Sequence, residues 1–336
     1  MADKPSRALV LYGDGLASLI SASHSNLHSF ASLSSCGFLS LRSLPSQDSI
    51  VDSRAALDFA QLLDAYDFYI AKKGKSIDAG PTADVEQSPV PELSNRFMGL
   101  RAAIFSSSPS VNSLASDLSL STLPLEEIDP SELPSKLLTL LGFSEGNVLE
   151  ASEYDLLLLH ITTETLKTQK EKSSADWLDH LVGTILESAT PGSAVSSRLH
   201  MSVVLSYEKL SDRPPMSLIK EMNSDLGLLR PCQSYTMKNG KPLDEIRHDY
   251  PMLVAQWQDG VTRRDLANAF TFEEFNKVPF FVLDQIVGIV LSSDNIPKLP
   301  NYCYYLINSC NFTGIVFYGF VVLVTLLVSL GLYTGL

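Results

Sequence analysis

Few side chains in this sequence combine a useful type with a useful place. Asp14 stands between two glycines, directly after the compact apolar run Ala8-Leu-Val-Leu-Tyr12. His160 closes Asp155-Leu-Leu-Leu-Leu, Ser206 follows Met201-Ser-Val-Val-Leu205, and His248 precedes Met252-Leu-Val-Ala-Gln256. Carboxylate and imidazole groups converging from separate loops are what a divalent metal centre or a proton relay requires. Each residue also has a plain structural role. Asp14 suits a tight turn, His248 can pair with Asp249, and His160 suits a hydrogen-bonded position in a core. Arg263 and Arg264 could hold an anion, but beside Asp265 they read as a solvated helix start.

The elements that must position these groups follow from hydrophobic pattern. The runs at Ala8, Arg101-Ala-Ala-Ile-Phe105, Asp155, Met201 and Met252 are apolar throughout rather than alternating, which predicts strands buried on both faces. Helical spacing covers residues 52–66, 264–277 and 282–292. It is clearest at Trp177, Leu178, Leu181, Val182, Ile185 and Leu186, which form one apolar stripe, with His180 on the solvent side. Strands separated by helices predict an α/β domain over residues 1–295, a mostly parallel sheet with helices on both faces. Ligands of such sheets sit beyond the carboxyl ends of the strands. Asp14, the residues from His160 onward and those from Ser206 onward therefore belong at that edge, and His248 joins them only if its loop lies there. Residues 72–92, rich in Lys, Gly, Pro, Asp and Ser, read as a mobile surface loop. Residues 106–135 show no clear period.

The tail is of another kind. Residues 299–336 contain no Asp, Glu, Lys or Arg, and the second half is apolar almost throughout. About 20 such residues cross a bilayer core as a helix. Residues 312–336 are expected to be a transmembrane tail anchor held in the lipid bilayer, with residues 296–311 as the linker. The N-terminus carries no signal peptide, which predicts a cytosolic domain on a single-pass membrane protein. The uncharged end Tyr333-Thr-Gly-Leu336 favours the endoplasmic reticulum or later secretory membranes over an organelle outer membrane. Cys303 and Cys310 could be palmitoylated, though ordinary packing is preferred, and the sequon at Asn311 abuts the membrane on the cytosolic side. A formal net charge of -13 argues against nucleic acid as a partner. Four cysteines without a CxxC pair read as reduced thiols.

The order of these pieces resembles the alkaline phosphatase superfamily, and most closely its cofactor-independent phosphoglycerate mutase branch. Leu-Tyr-Gly-Asp14-Gly15 is similar to the family's first strand ending in a metal-binding Asp. His24-Ser-Asn26-Leu27-His28, with Cys36-Gly37-Phe-Leu behind it, is similar to the family's Pro-Asn-Leu-Asp segment. Tyr154-Asp155-Leu-Leu-Leu-Leu-His160, Trp177-Leu-Asp179-His-Leu-Val-Gly183 and Arg247-His248-Asp249-Tyr250-Pro251 resemble the second metal strand, the helix after it and the late His-containing turn. The resemblance implies a two-metal phosphoryl-transfer centre using Mn, Zn or Mg, with Asp14, Glu164 and His248 as the surviving ligand candidates. It also implies a Ser or Thr nucleophile between Ser46 and Ser53.

The departures count for more. Ser206-Tyr207 stands where the family has Asp-His, and Thr168 stands four residues after Glu164 where it has His. Three candidate ligands do not make a two-metal clamp. The preferred expectation is a phosphatase-like domain without catalysis or cofactor, serving as an interaction or assembly subunit for a protein partner not identifiable from sequence. The alternative is a metal-dependent phosphatase or mutase in which His24 or His28 completes a rearranged ligand set.

Overall fold

The computed structural model describes residues 7–42, 51–63, 65–78, 99–125, 129–144, 146–164, 173–208 and 246–277, with two short strands at 237–238 and 241–242. Residues 40, 51–53, 73–78 and 237–249 are described, where they are, through their backbone alone. The elements in order are β1 (Arg7–Asp14), α1 (Ser25–Leu33), β2 (Ser35–Arg42), α2 (Val51–Leu62), α3 (Tyr66–Asp78), β3 (Ala102–Phe105), α4 (Pro109–Asp117) and β4 (Ser121–Leu123). They continue with α5 (Leu133–Leu140), β5 (Phe143–Ser144), β6 (Asn147–Val148), β7 (Leu156–Thr162), α6 (Ser174–Ser188), β8 (Leu199–Leu205), β9 (Met237–Lys238), β10 (Lys241–Pro242), β11 (Ile246–Trp257) and α7 (Phe272–Lys277).

The central sheet runs β2-β11-β8-β1-β7-β3-β4. Every pairing among β8, β1, β7, β3 and β4 is parallel, and β11 enters antiparallel to both β8 and β2. β1 lies in the middle because its side chains are apolar on both faces. Successive residues of a strand point to opposite sides. Leu9 and Leu11 pack with α1, α5 and α6, whereas Ala8, Val10 and Tyr12 pack with α2, α3 and α4. Helices thus cover both faces, as the pattern predicts. At Gly13 an added Cβ would stand 2.7 Å from Leu205 Cδ2 and 3.0 Å from Leu16 Cδ1, so any larger residue there would have to displace those side chains. Gly15, at φ +75°, turns the chain out of the sheet.

Three expectations need correction. Residues 72–78 are the last turns of α3, a helix rather than a loop; residues 79–92 lie outside the described part. Residues 264–271 are not helical, and the helix begins only at Phe272. Their polar groups are spent on tertiary contacts instead. The Asp265 carboxylate accepts the Cys36 backbone N–H at 2.8 Å, Leu266 adopts φ +56°, and the Phe270 N–H reaches His28 Nδ1. Arg263 pairs with Asp265 and Arg264 with Asp259, so the two arginines head no helix. The unassigned stretch 106–135 holds α4 and β4, with Ser108 capping α4 through the Val111 N–H and Pro109 at the first turn. No helix among the described residues is long and apolar enough to cross a membrane, and residues 278–336, including the expected span, lie outside them.

Candidate functional site

The carboxyl edge of the sheet gathers polar groups from five elements around Asp14. Its side chain shares the face of Ala8, Val10 and Tyr12, the face covered by α2 and α4. It is 8% exposed. The Ser206 hydroxyl, one residue past β8, donates to Asp14 Oδ1 at 2.9 Å and accepts the Gly15 N–H at 2.8 Å. One hydroxyl therefore fastens the β8 exit to the β1 turn. From α2, Arg54 Nη2 lies 3.7 Å from the same oxygen and donates to the Tyr207 carbonyl at 3.4 Å. The Tyr12 hydroxyl donates within 3.5 Å of Asp14 Oδ1.

On the other side of Asp14 stands His160, paired with Tyr12 across β1 and β7 and fully buried. Its ring stacks on Tyr12 at 5.5 Å between centroids and meets the Phe59 ring edge-on at 5.8 Å. Ser106 Oγ, just beyond β3, lies 2.9 Å from His160 Nδ1 and accepts the Ser108 N–H at 3.1 Å. With the Ser106 hydroxyl donating to Nδ1, the ring proton is assigned to Nε2. That atom faces Asp14 Oδ2 at 3.8 Å, an ion-pair distance rather than a hydrogen bond.

Burial alone would raise the Asp14 carboxyl pKa. The His160 imidazole beside it, aided by Ser206 and Arg54, outweighs burial and holds it below the ordinary value. Tyr12 moves the opposite way. Burial, and then the nearby charges of Asp14 and Asp58, push its phenol well above the usual range.

The predicted site residues separate. Asp14 is at the centre. Glu164 lies two residues past Thr162, the partner of Asp14 across β1 and β7, and is exposed. His248 lies on β11 beside the irregularity between Arg247 and Met252; its side chain is outside the described residues. Arg247 pairs with Leu41 and Met252 with Leu39, so the chain around His248 bulges out of the ladder and does not run on as regular strand from the level of Asp14. The stretch from Ser46 to Ser53 that would hold a nucleophile is likewise outside, or backbone only. His24 and His28 are engaged elsewhere. His24 Nδ1 accepts the Ser21 N–H at 2.9 Å and its Nε2 lies 3.3 Å from Asp176, while His28 Nε2 contacts the Ser21 carbonyl.

Among the described residues, the groups around Asp14 do not suit a divalent ion. One oxygen receives a hydroxyl proton and a guanidinium, the other faces an imidazole N–H, and Ser206 and Tyr207 provide no second carboxylate or imidazole. Among the described residues no group of three or more His, Cys, Asp or Glu could hold a metal ion. Sequence reasoning found Asp14, the Ser206 edge and the core role of His160. It missed Arg54 and Ser106, whose partners lie 40 and 54 residues away and leave no local signal.

No protein-family model and no curated protein matches the chain. Among solved structures it is similar to the PH0037 protein from Pyrococcus horikoshii, at 11% identity and TM-score 0.47, over 82% of this chain and 92% of that one. It is also similar to an alkaline phosphatase superfamily protein from Vibrio parahaemolyticus, at 8% identity and TM-score 0.43, over 78% of this chain and 62% of that one. A cofactor-independent phosphoglycerate mutase from Thermoplasma acidophilum matches at 11% identity and TM-score 0.32, over 56% of this chain and 34% of that one. Identities this low carry no residue roles across to this chain.

Proposed function

We propose that the chain is a tail-anchored, single-pass membrane protein whose cytosolic domain is built on the alkaline phosphatase plan, is not catalytic, and serves as an interaction or assembly subunit. One observation carries the reading. Where the family resemblance implies an Asp-His ligand pair, the Ser206 hydroxyl donates into Asp14 and takes up the Gly15 N–H. The carboxylate that would hold a metal is thereby engaged by the chain's own donors. The uncharged apolar stretch from residue 299 supports the anchor, with residues 312–336 in the bilayer of the endoplasmic reticulum or a later secretory membrane.

The test uses the full chain in detergent micelles, loaded in turn with Mn, Zn and Mg, dialysed and assayed for bound metal. Less than a tenth of an equivalent is expected. Near-stoichiometric metal, reduced in Glu164→Gln or Asp14→Asn, overturns the non-catalytic reading. For the anchor, the chain is given a C-terminal glycosylation acceptor and added after synthesis to microsomes. Glycosylation of that acceptor, with the domain open to protease, is expected. Release of the chain by alkaline carbonate refutes the anchor.

A further inference from the structure

We infer that Arg54 is a built-in cation in the place where a metal ion would neutralise Asp14, so that this edge of the sheet is held by a guanidinium–carboxylate pair. The inference rests on the reading above that the site holds no metal, and it adds a fixed charge that acts beside His160, whose effect on Asp14 is the larger. An ionised carboxylate taken out of water needs a compensating charge as well as hydrogen bonds. The two neutral hydroxyls near Asp14, Ser206 and Tyr12, satisfy lone pairs without compensating charge. His160 Nε2 faces the other carboxylate oxygen and carries the single ring proton left when Nδ1 accepts from Ser106.

Among the described residues around Asp14, Arg54 brings a permanent charge, since a guanidinium stays protonated in proteins. Its side chain is 20% exposed, and it is placed by α2, whose Ala55, Ala56, Phe59 and Ala60 pack on the Asp14 face of the sheet. The same Nη2 contacts Asp14 Oδ1 and the Tyr207 carbonyl, so one group ties α2 to the ends of both β1 and β8. A dissociable ion bridging the same loops would make them depend on metal supply. Arg54 makes the junction permanent.

The experiment follows thermal unfolding of the full chain in detergent, with EDTA and with added Mn or Zn, for the parent, Arg54→Met, Arg54→Lys, Asp14→Asn and Arg54→Met with Asp14→Asn. Arg54→Met is expected to lower Tm by about 3–8 °C, as loss of one partner of a mostly buried pair should in a domain of this size. The double variant should lose clearly less than the two single losses together, because removing both charges strands neither. Arg54→Lys should recover about half or more of the loss in Arg54→Met. Additive losses, or Lys no better than Met, overturn the role of Arg54 while leaving a metal-free site intact. A parent Tm that falls by more than about 2 °C in EDTA overturns the metal-free reading itself. If Asp14→Asn does not fold, the Lys-against-Met comparison decides alone.

Discussion

Lowering the pH from 7 to 4 should cost this domain a large part of its stability through one residue, His200. It lies on β8 opposite Ala8, fully buried, with Nε2 3.3 Å from the Ser202 hydroxyl. Burial disfavours the charged ring and pushes its pKa down from 6.5 to about 4, against a smaller opposing pull from the Gln258 side chain. The folded pKa is depressed, so between these values the unfolded chain binds the proton and the folded domain does not. Stability is therefore fully present above pH 6.5, falls as pH drops towards 4, and changes no further through this group below that. A difference of about 2.5 units at about 1.36 kcal/mol per unit is about 3 kcal/mol. Typical domains have about 5–15 kcal/mol in total, so the loss is a substantial fraction. Urea unfolding of the full chain in detergent at half-unit pH steps measures it. His200→Gln, neutral throughout, should flatten the curve between pH 6.5 and 4. An unchanged slope in that variant refutes the reasoning. Asp14 does not confuse the result. Its folded pKa is below the ordinary 3.8, so its contribution is present above that value and is lost only as pH falls further.

Two further substitutions test the frame around the sheet. Gly142 has φ +74°, and an added Cβ would stand 2.8 Å from the Ala151 carbonyl oxygen, so Gly142→Ala should cost about 1–3 kcal/mol in thermal unfolding. An unchanged Tm would show that the turn adjusts freely. Asp179 on α6 accepts the Leu27 N–H at 2.8 Å and the Asn26 amide at 3.0 Å, capping α1 from outside its own sequence neighbourhood. Asp179→Ala should cost about 1–2 kcal/mol and speed hydrogen exchange in Ser25–Leu33 first. Uniform exchange across the domain would refute the cap.

What was legible in the sequence tracks burial. β1, β7 and β8 are buried on both faces, so their unbroken apolar runs announce them. β2, with Ser35, Cys36, Gly37, Ser40 and Arg42, lies at the end of the sheet and is too polar and small to stand out, so no strand was expected there. The expected helix over 264–271 failed because a helical period says nothing about distant groups, here the Cys36 backbone N–H and the His28 ring, that claim its residues. At the site, Asp14 was visible because two glycines framed it. Arg54 was not, because an arginine in an amphipathic helix looks like any solvated charge until the fold brings it to the end of β1.

The middle position of β1 sets a timetable. β1 cannot complete its pairing until β7 and β8, ending at Thr162 and Leu205, have left the ribosome, and among the described strands β11 joins the sheet after them, ending at Trp257. At about 5–20 residues per second, Ala8-Leu-Val-Leu-Tyr12 waits roughly ten to forty seconds for its partners. During that time an apolar strand with two open edges is exposed to every other nascent chain nearby. About 55 residues then separate Trp257 from the apolar run at residue 312, roughly three to eleven seconds of synthesis. The sheet can therefore close before the most insoluble part of the chain emerges, and the two aggregation hazards are separated in time.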